Sequence, residues 1–175
     1  MRRWLGPVLF GLIVAAATAW GAIAYAPYGL MNVAMERLGQ GGVNTMSYGN
    51  LATPERQPVV RPSPDLAYSS CPYDLSAGPL AIDLAPVPGR YSSLSIFDAA
   101  TDVIFVRNDV AAGGKPYRII VARDGQAVPA GVEVVRTGHD RGIALIRLLL
   151  KDPSEIGGLE AARRESSCAP VTKLK

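Results

Sequence analysis

The stretch PLAIDLAPVPGRYSSLSIFDAATDVIFVRN, residues 79–108, decides the fold class of this chain. It consists of short apolar runs, and the Pro-Val-Pro-Gly sequence at 86–89 separates the first run from the second. Alternation of apolar and polar residues is typical of strands that bury one face, and Pro and Gly supply the turns between them. The stretch therefore predicts three strands: 80–84, 91–97 and 103–107.

The same rhythm continues to residue 150, with turn-forming residues at 111–116, 124–125 and 138–140. Short strands at such spacing indicate an antiparallel all-β domain. Three further strands are predicted: 117–123, 132–136 and 143–150. Six strands make a mainly β fold, either an antiparallel sandwich or a partial barrel.

A short C-terminal helix is predicted to follow the last strand. Asp152, Pro153 and Glu155 form a helix start signature, because an Asp N-cap, a Pro at the first position and a Glu in the first turn suit the free N–H groups there. The helix is expected to end near Glu165. Two glycines at 157 and 158 weaken it, so it needs packing against the sheet to persist.

The N-terminal segment WLGPVLFGLIVAAATAWGAIAYA, from Trp4 to Ala26, contains no charged residue. At 1.5 Å per residue, about 20 apolar residues cross a hydrocarbon core of roughly 30 Å. Aromatic residues near both ends suit the interfacial layers of a membrane. We predict a single transmembrane helix in the bacterial inner membrane, with Arg2 and Arg3 in the cytoplasm and the rest of the chain in the periplasm.

A cleaved signal peptide is the alternative, since Ala24-Tyr25-Ala26 fits the small-x-small cleavage pattern. Two observations favour a retained anchor. The apolar run exceeds the roughly 7 to 15 residues of a signal peptide, and cleavage would leave the rigid ring of Pro27 at the first position. In both cases the remaining chain is expected to be exported.

Between the apolar segment and the strands, Tyr28, Met31, Met35 and Leu38 recur at helical spacing. Residues rich in Pro, Gly, Asn and Ser follow, which indicates a linker. Three segments are therefore predicted: a cytoplasmic tip and transmembrane anchor at 1–27, a juxtamembrane helix and linker at 28–58, and a periplasmic β-rich domain at 59–175.

Length and charge limit the functions that are expected. The 175 residues leave room for one compact domain beside the anchor, so a two-domain enzyme is not expected. The net charge is only +3 and no basic stripe with interleaved aromatic residues is present, so nucleic-acid binding is not expected either.

The chain has two cysteines, Cys71 and Cys168. In an oxidising periplasm two such thiols are candidates for one disulfide, and closing so long a loop would stabilise the fold. Two unrelated free thiols are the alternative. A zinc site is not expected, because one histidine and two distant cysteines do not supply the usual four ligands, and no other cofactor is predicted.

No catalytic residue is predicted. His139, the only histidine, lies in a turn-forming sequence, and no G-x-S-x-G or other nucleophile motif accompanies it. We therefore interpret it as a loop histidine without a catalytic role. Asp65 and Asp74 flank turn-forming residues, where a carboxylate commonly accepts hydrogen bonds from backbone N–H groups.

Three short motifs follow one another in the chain: Asp65 with Tyr68, then Asp74, then Gly-Arg-Tyr at 89–91 leading to Asp98. With a late arginine, they resemble the bacterial domain of unknown function 1254, over roughly residues 59–150. The polar residues that the resemblance marks are Asp65, Tyr68, Asp74, Arg90, Tyr91, Asp98 and Arg147.

The resemblance implies location and partnership more than catalysis, because the family has no established reaction. Larger members carry a second β-rich domain, the domain of unknown function 1214, and short anchored members imply a separate, noncovalent partner of that kind. The leading hypothesis is thus a membrane-anchored structural or interaction module of the cell envelope, with the lipid bilayer and a second anchored protein as partners. An envelope hydrolase and a lipid- or glycan-binding module are the alternatives.

Arg147 is unusual because strand alternation places it on the same face as Ile143 and Leu145. If that face is the core, the guanidinium must be paired, since an unpaired buried charge is costly. We expect a buried ion pair with Asp98 or Asp65, both of which lie in the family-like motifs. In the opposite orientation Arg147 lies at the surface.

Overall fold

The computed structural model describes residues 2–55, 57 and 62–171. In this part of the chain a long N-terminal helix is followed by a two-sheet β-sandwich and a short helix near its C-terminal end. The predicted boundary between residues 58 and 59 lies outside the described residues. The mainly β fold is confirmed, and the two separate sheets make it a sandwich, not a closed barrel.

Helix α1 (Arg2–Leu38) joins the predicted membrane helix and the predicted juxtamembrane helix in one element that includes Pro7 and Pro27. In the described chain it is the one helix long and apolar enough to cross a membrane. The residues from Trp4 to Trp20 are all exposed, whereas a core helix of a soluble protein would bury such a surface. The helix therefore fits a membrane anchor or a signal sequence.

Nine strands form two sheets. The strands are β1 (Ser47–Tyr48), β2 (Leu66–Asp74), β3 (Leu80–Leu84), β4 (Ser92–Asp98), β5 (Val103–Asn108), β6 (Tyr117–Arg123), β7 (Glu133–Thr137), β8 (Arg141–Leu149) and β9 (Ser167–Pro170). The first sheet has the order β1-β2-β8-β4-β5 and the second β7-β6-β3-β9. All pairs are antiparallel except β6 with β7.

The core lies between the two sheets. In the first sheet one face points inward, and its register brings Cys71, Ala144 and Ile96 side by side on β2, β8 and β4. Ile82 and Ile119 are neighbours on the facing sheet, and all five are buried. Burial of this alternating apolar face is the main stabilising contribution to the sandwich.

Three strands were not predicted from the sequence: β1, β2 and β9. Strand β2 contains Ser69, Ser70 and Pro72, which are typical of turns. Pro72 is tolerated because β1 pairs only with Ser69 and Ser70, so that Pro72 has no neighbouring strand on that side. Two-residue β1 and four-residue β9 are too short to show an alternation.

The predicted disulfide between Cys71 and Cys168 is confirmed. It joins β2 in the first sheet to β9 in the second, with a Cα–Cα distance of 6.4 Å. The bond thus crosses the core and ties the two layers together.

The predicted C-terminal helix is present as a 3₁₀ turn (Pro153–Glu155) followed by α2 (Ile156–Arg163). The Asp152 carboxylate accepts a hydrogen bond from the N–H of Ser154 at 2.9 Å, as its N-cap position predicts. Helix α2 packs on a second apolar cluster that includes Leu148 and Leu150, and so closes one end of the sandwich.

Gly142 on β8 is needed for packing. A Cβ atom at this position would overlap with the Phe97 carbonyl oxygen and the Tyr73 hydroxyl, which are hydrogen-bonded to each other at 2.8 Å. We expect Gly142→Ala to lower the free energy of unfolding by about 1 to 3 kcal/mol, the usual range for overpacking. Urea denaturation of the full chain in mild detergent measures this change.

Gly158 in α2 is the matched control, because it is exposed and a Cβ there would meet no atom within 4 Å. Gly158→Ala should raise stability by up to about 1 kcal/mol, since alanine favours a helix. Equal effects of the two substitutions would contradict the assigned packing of Gly142.

Candidate binding cavities at the junction of helix and sandwich

The outer face of the first sheet is only half covered. The last turns of α1 pack against β2 and β8: Met31 is buried there, and the Ser70 hydroxyl donates a hydrogen bond to the Leu38 carbonyl at 2.9 Å. On the β5 side of the same face, Val103 and Val106 remain exposed. The outer face of the first sheet thus has a covered half, where α1 packs on β2 and β8, and an open half at β5.

A cleft of about 520 Å³ lies where α1 ends. Its wall combines the end of the helix, residues between 40 and 55 together with Gln57, and the covered half of the sheet. This volume falls in the range of small-molecule sites. The lining includes two tyrosines, one cation and one anion besides apolar groups: Arg37, Tyr48, Glu55, Tyr68, Ser70 and Leu145.

A smaller cavity of about 350 Å³ lies at the opposite end of the helix–sheet contact. It is lined by Tyr28 and Asn32 of α1 and by polar residues at the ends of β2 and β8, including Asp74, Asp140 and Arg141. Arg141 Nε donates to Asp74 at 2.9 Å, and the Asp140 carboxylate lies 2.7 Å from Arg123. The cavity therefore presents charges of both signs.

His139 lies beside this cavity, where the Tyr28 ring meets its ring edge-on at 5.7 Å between centroids. Its Nε2 is 3.7 Å from the Asp98 carboxylate. The other oxygen of Asp98 accepts hydrogen bonds from the N–H groups of Ala100 and Asp102, so Asp98 caps the β4–β5 turn. Among the described residues, no hydroxyl is hydrogen-bonded to the imidazole.

Asp74 also caps a turn, as the sequence predicted. Its carboxylate accepts hydrogen bonds from Ser76 and Arg141. The hydroxyl and N–H of Ser76, and then the Arg141 guanidinium, lower the pKa of Asp74 and outweigh the opposing effect of its burial. The ionised carboxylate is therefore favoured by folding.

A pH dependence follows from this lowered pKa. The stabilisation is fully present above the unfolded-state pKa of about 3.9 and is lost as the pH falls through the lower folded-state pKa. We expect Asp74→Asn to reduce the loss of stability between about pH 6 and pH 2, measured as urea midpoints. Coinciding curves for the wild type and Asp74→Asn would refute the role of Asp74.

Asp65, Arg90 and Tyr91 lie at the far end of the sandwich. Arg90 forms an ion pair of 2.6 Å with Glu155 and so holds the 3₁₀ turn. Tyr91 is exposed, and its carbonyl accepts a hydrogen bond from Leu149. The structure therefore separates the family-like residues: three at this end, Asp74 and Asp98 at the other, and Tyr68 with Arg147 between them.

The predicted ion pair of Arg147 is wrong. Arg147 is half-buried on the outer face between Tyr68 and Ser93, and no carboxylate of the described chain lies within 4.0 Å of it. Asp98 is paired with Gly142, five positions along β8, or roughly 16 Å away at 3.3 Å per residue. Because α1 leaves part of this face open, Arg147 keeps access to solvent and does not require a buried partner.

The buried arginine is Arg163 at the end of α2, which the sequence analysis did not select. Its Nε donates to Ser69, one Nη to Glu160, and the other Nη to the carbonyls of Gly49 and Tyr68, all at 2.9 to 3.1 Å. Burial lowers the pKa of the guanidinium, which the charge of Glu160 opposes. One sequence feature could have indicated the ion pair of Arg163: Glu160 and Arg163 are three residues apart on a predicted helix, and so lie on the same face.

Charged, polar and aromatic side chains line both cavities. No cluster of three or more His, Cys, Asp or Glu residues that could hold a metal ion is found in the described ranges. The Tyr73 hydroxyl is held neutral, because burial raises its pKa and the Asp98 charge adds to this effect. It donates its hydrogen bond to Phe97 within the fold.

The fold and cavities define a β-sandwich with an apolar N-terminal helix docked on one sheet. A family model described as "Protein of unknown function (DUF1254)" matches residues 43–170, which is more than half of the chain. The chain therefore belongs to the DUF1254 family, as the motifs had suggested. No protein with a curated description matches it in sequence.

Two solved structures are similar. The VPA0106 protein from Vibrio parahaemolyticus matches with a TM-score of 0.61 and 15% identity, over 86% of this chain and 37% of that one. A putative uncharacterized protein from Burkholderia cenocepacia matches with a TM-score of 0.46 and 18% identity, over 63% of this chain and 32% of that one. The chain thus spans about a third of the length of these proteins.

Proposed function

We propose that this chain is an interaction module of the bacterial cell envelope, anchored in the inner membrane by α1, with its sandwich in the periplasm and a second anchored protein as its partner. The observation that carries the proposal is the open half of the first sheet. Val103 and Val106 on edge strand β5 are 55% and 61% exposed. An unpaired strand edge with exposed apolar side chains favours pairing with another chain.

Two features support export and anchoring. A disulfide between Cys71 and Cys168 fits an oxidising compartment. The exposed apolar surface of α1 between Trp4 and Trp20 would be costly in water and is favourable in lipid. Retention is supported by the helix itself, because cleavage after Ala26 would cut through the middle of α1 and separate the membrane segment from the turns that pack on the sheet.

The partner that we propose is a β-rich protein resembling the domain of unknown function 1214. In the Vibrio protein this fold is part of a chain more than twice as long. We propose that this domain also works beside further protein, in the form of a second anchored chain.

The partner is tested by affinity purification of the full chain from bacterial membranes, with captured proteins identified by mass spectrometry. Val106→Glu should abolish capture of the partner, because it places a charge on the open half of the sheet without disturbing the core. Val43→Glu is the matched control at an equally exposed valine in the segment after α1, and it should capture the same proteins as the wild type. Identical captures by all three proteins would refute the proposed surface.

The anchor is tested by the intact mass of the membrane-extracted protein. A mass that includes residues 1–26 is expected. A mature chain that begins at Pro27 would show that the segment is a cleaved signal sequence.

The cleft of about 520 Å³ favours binding of a lipid or glycan as a second candidate function. Asn50 is an exposed residue of its lining, and Asn50→Trp should fill part of it. Mass spectrometry of small molecules extracted from the purified wild type and variant tests this function. A hydrolase is not favoured, since His139 has a carboxylate beside it but no hydroxyl bonded to its ring among the described residues.

A further inference from the structure

The position of the sandwich relative to the membrane follows from α1 if the helix is anchored as proposed. The apolar run ends at Ala26, and its 23 residues measure about 35 Å, enough to cross a hydrocarbon core of about 30 Å with some tilt. Each headgroup layer adds about 5 to 8 Å. Tyr28 lies about 3 Å beyond Ala26 along the helix, and is thus at the depth of the headgroups.

Contacts of α1 fix which end of the sandwich is close to the membrane. Tyr28 meets His139, two residues before the start of β8, and shares a cavity with Asp74 at the end of β2. Ten residues later, the Leu38 carbonyl is bonded to Ser70 in the middle of β2.

From residue 28 to 38 the helix rises about 15 Å, and from residue 74 to 70 the strand advances about 13 Å. The helix axis therefore runs nearly parallel to the strands, which stand along the membrane normal. The turns at 75–79, 99–102 and 138–140 form the membrane-proximal rim. The opposite ends of the strands, including Tyr91 and Leu149, lie roughly 27 Å farther out, since β2 and β8 have nine residues each.

We propose that this rim rests on the headgroup layer, and that the cavity of about 350 Å³ beside Tyr28 binds the headgroup of a zwitterionic phospholipid. Arg141 is 60% exposed and uses only its Nε within the described chain, so both Nη groups can bind a phosphate. The Asp140 carboxylate and the face of the Tyr28 ring suit the ammonium group. The cavity is lined by both positively and negatively charged side chains, and it therefore matches a headgroup with a phosphate and an ammonium group.

The depth of the rim is tested with fluorophores on single introduced cysteines in the full chain, which retains its disulfide. Ala77→Cys lies in the membrane-proximal β2–β3 turn, and Ala111→Cys in the turn after β5 at the far end; both alanines are exposed. In phosphatidylethanolamine-containing vesicles with a quencher on the lipid headgroup, position 77 should be quenched at least several-fold more than position 111. Equal or reversed quenching would overturn the proposal.

The headgroup site is tested by native mass spectrometry of the delipidated full chain with a short-chain phosphatidylethanolamine. Arg141→Gln should lower the bound fraction about tenfold, the loss of one charge-assisted phosphate contact. Arg118→Gln is the matched control: Arg118 is 57% exposed and its Nε donates to Asp83 at 2.7 Å, on the other sheet and away from the cavity. Equal binding by the two variants would overturn the assignment of the cavity.

Two further measurements separate the sources of a signal. Soluble phosphoethanolamine should compete with the lipid, whereas inorganic phosphate at the same concentration should not; competition by phosphate alone would indicate a simple anion site and overturn the headgroup assignment. The inference rests on the retained anchor, and the intact mass of the same sample reports retention separately.

Discussion

Replacing Cys71 and Cys168 together by alanine is expected to lower the free energy of unfolding by about 4 to 5 kcal/mol. The disulfide closes a loop with a sequence separation of 97 residues. In the chain-entropy model, a cross-link of that span removes about this much conformational freedom from the unfolded chain. Both sulfurs are buried between the sheets, so the loss of their packing adds to the effect. For a domain of ordinary stability, a loss of this size approaches the whole free energy of folding.

The measurement is urea denaturation of the full chain in mild detergent, followed by far-ultraviolet circular dichroism. Reductant provides the control, because it should lower the wild-type midpoint most of the way to that of the double variant, from which only the packing of the two sulfurs separates it, and should leave the variant unchanged. A double variant with the wild-type midpoint would show that the bond contributes nothing to stability.

Arg163→Ala is expected to cost about 3 to 5 kcal/mol, the range for removing one partner of a buried ion pair. The side chain of Arg163 is 4% exposed, and its guanidinium bonds to groups on three parts of the chain: Glu160, Ser69 and the backbone carbonyls of Gly49 and Tyr68. Alanine would remove the Arg163 donors of Ser69 and of the Gly49 carbonyl, and would take one of their donors from Glu160 and from the Tyr68 carbonyl. The packing of α2 against β2 and against the segment after α1 should then be weakened at the same time.

Arg164 is the matched control, since it is the next residue, also pairs with Glu160 at 2.8 Å and also lies over the Tyr48 ring, yet its side chain is 57% exposed. Arg164→Ala should cost less than about 1 kcal/mol, because solvent screens an exposed pair. Urea midpoints of the two variants distinguish burial from charge. Similar losses in both would show that the hydrogen bonds of Arg163 are not the source of its effect.

The strands with clear alternation could be predicted from the sequence. For β3 and β6 the predicted and observed bounds coincide, and β4, β5 and β7 differ by one residue at one or both ends. The disulfide could be inferred as well, because the chain has only two cysteines, which allow a single pairing. These features depend on local pattern or on a count, which a single sequence contains.

The rest depends on contacts between distant residues. The sequence of β2 is typical of a turn region. In the structure, however, Ser69 accepts a hydrogen bond from Arg163 and Ser70 donates one to the Leu38 carbonyl. A buried ion pair was expected at Arg147, because the residues around it on the strand are apolar. In the structure, α1 covers only part of that face of the sheet. Whether an arginine is buried depends on which element packs over it. That packing is a property of the tertiary structure and leaves no local pattern in the sequence.

The span of the disulfide also has a consequence for the order of events during synthesis. All strands from β3 to β8 lie between Cys71 and Cys168, so in a chain exported as we propose the bond forms only after the last of them has been made and has crossed the membrane. At roughly 5 to 20 residues per second, Cys71 waits about 5 to 20 s as a free thiol. During that interval it is open to exchange with the thiols of other secreted chains. Oxidation at the right time is therefore as much a matter of the export machinery as of the fold.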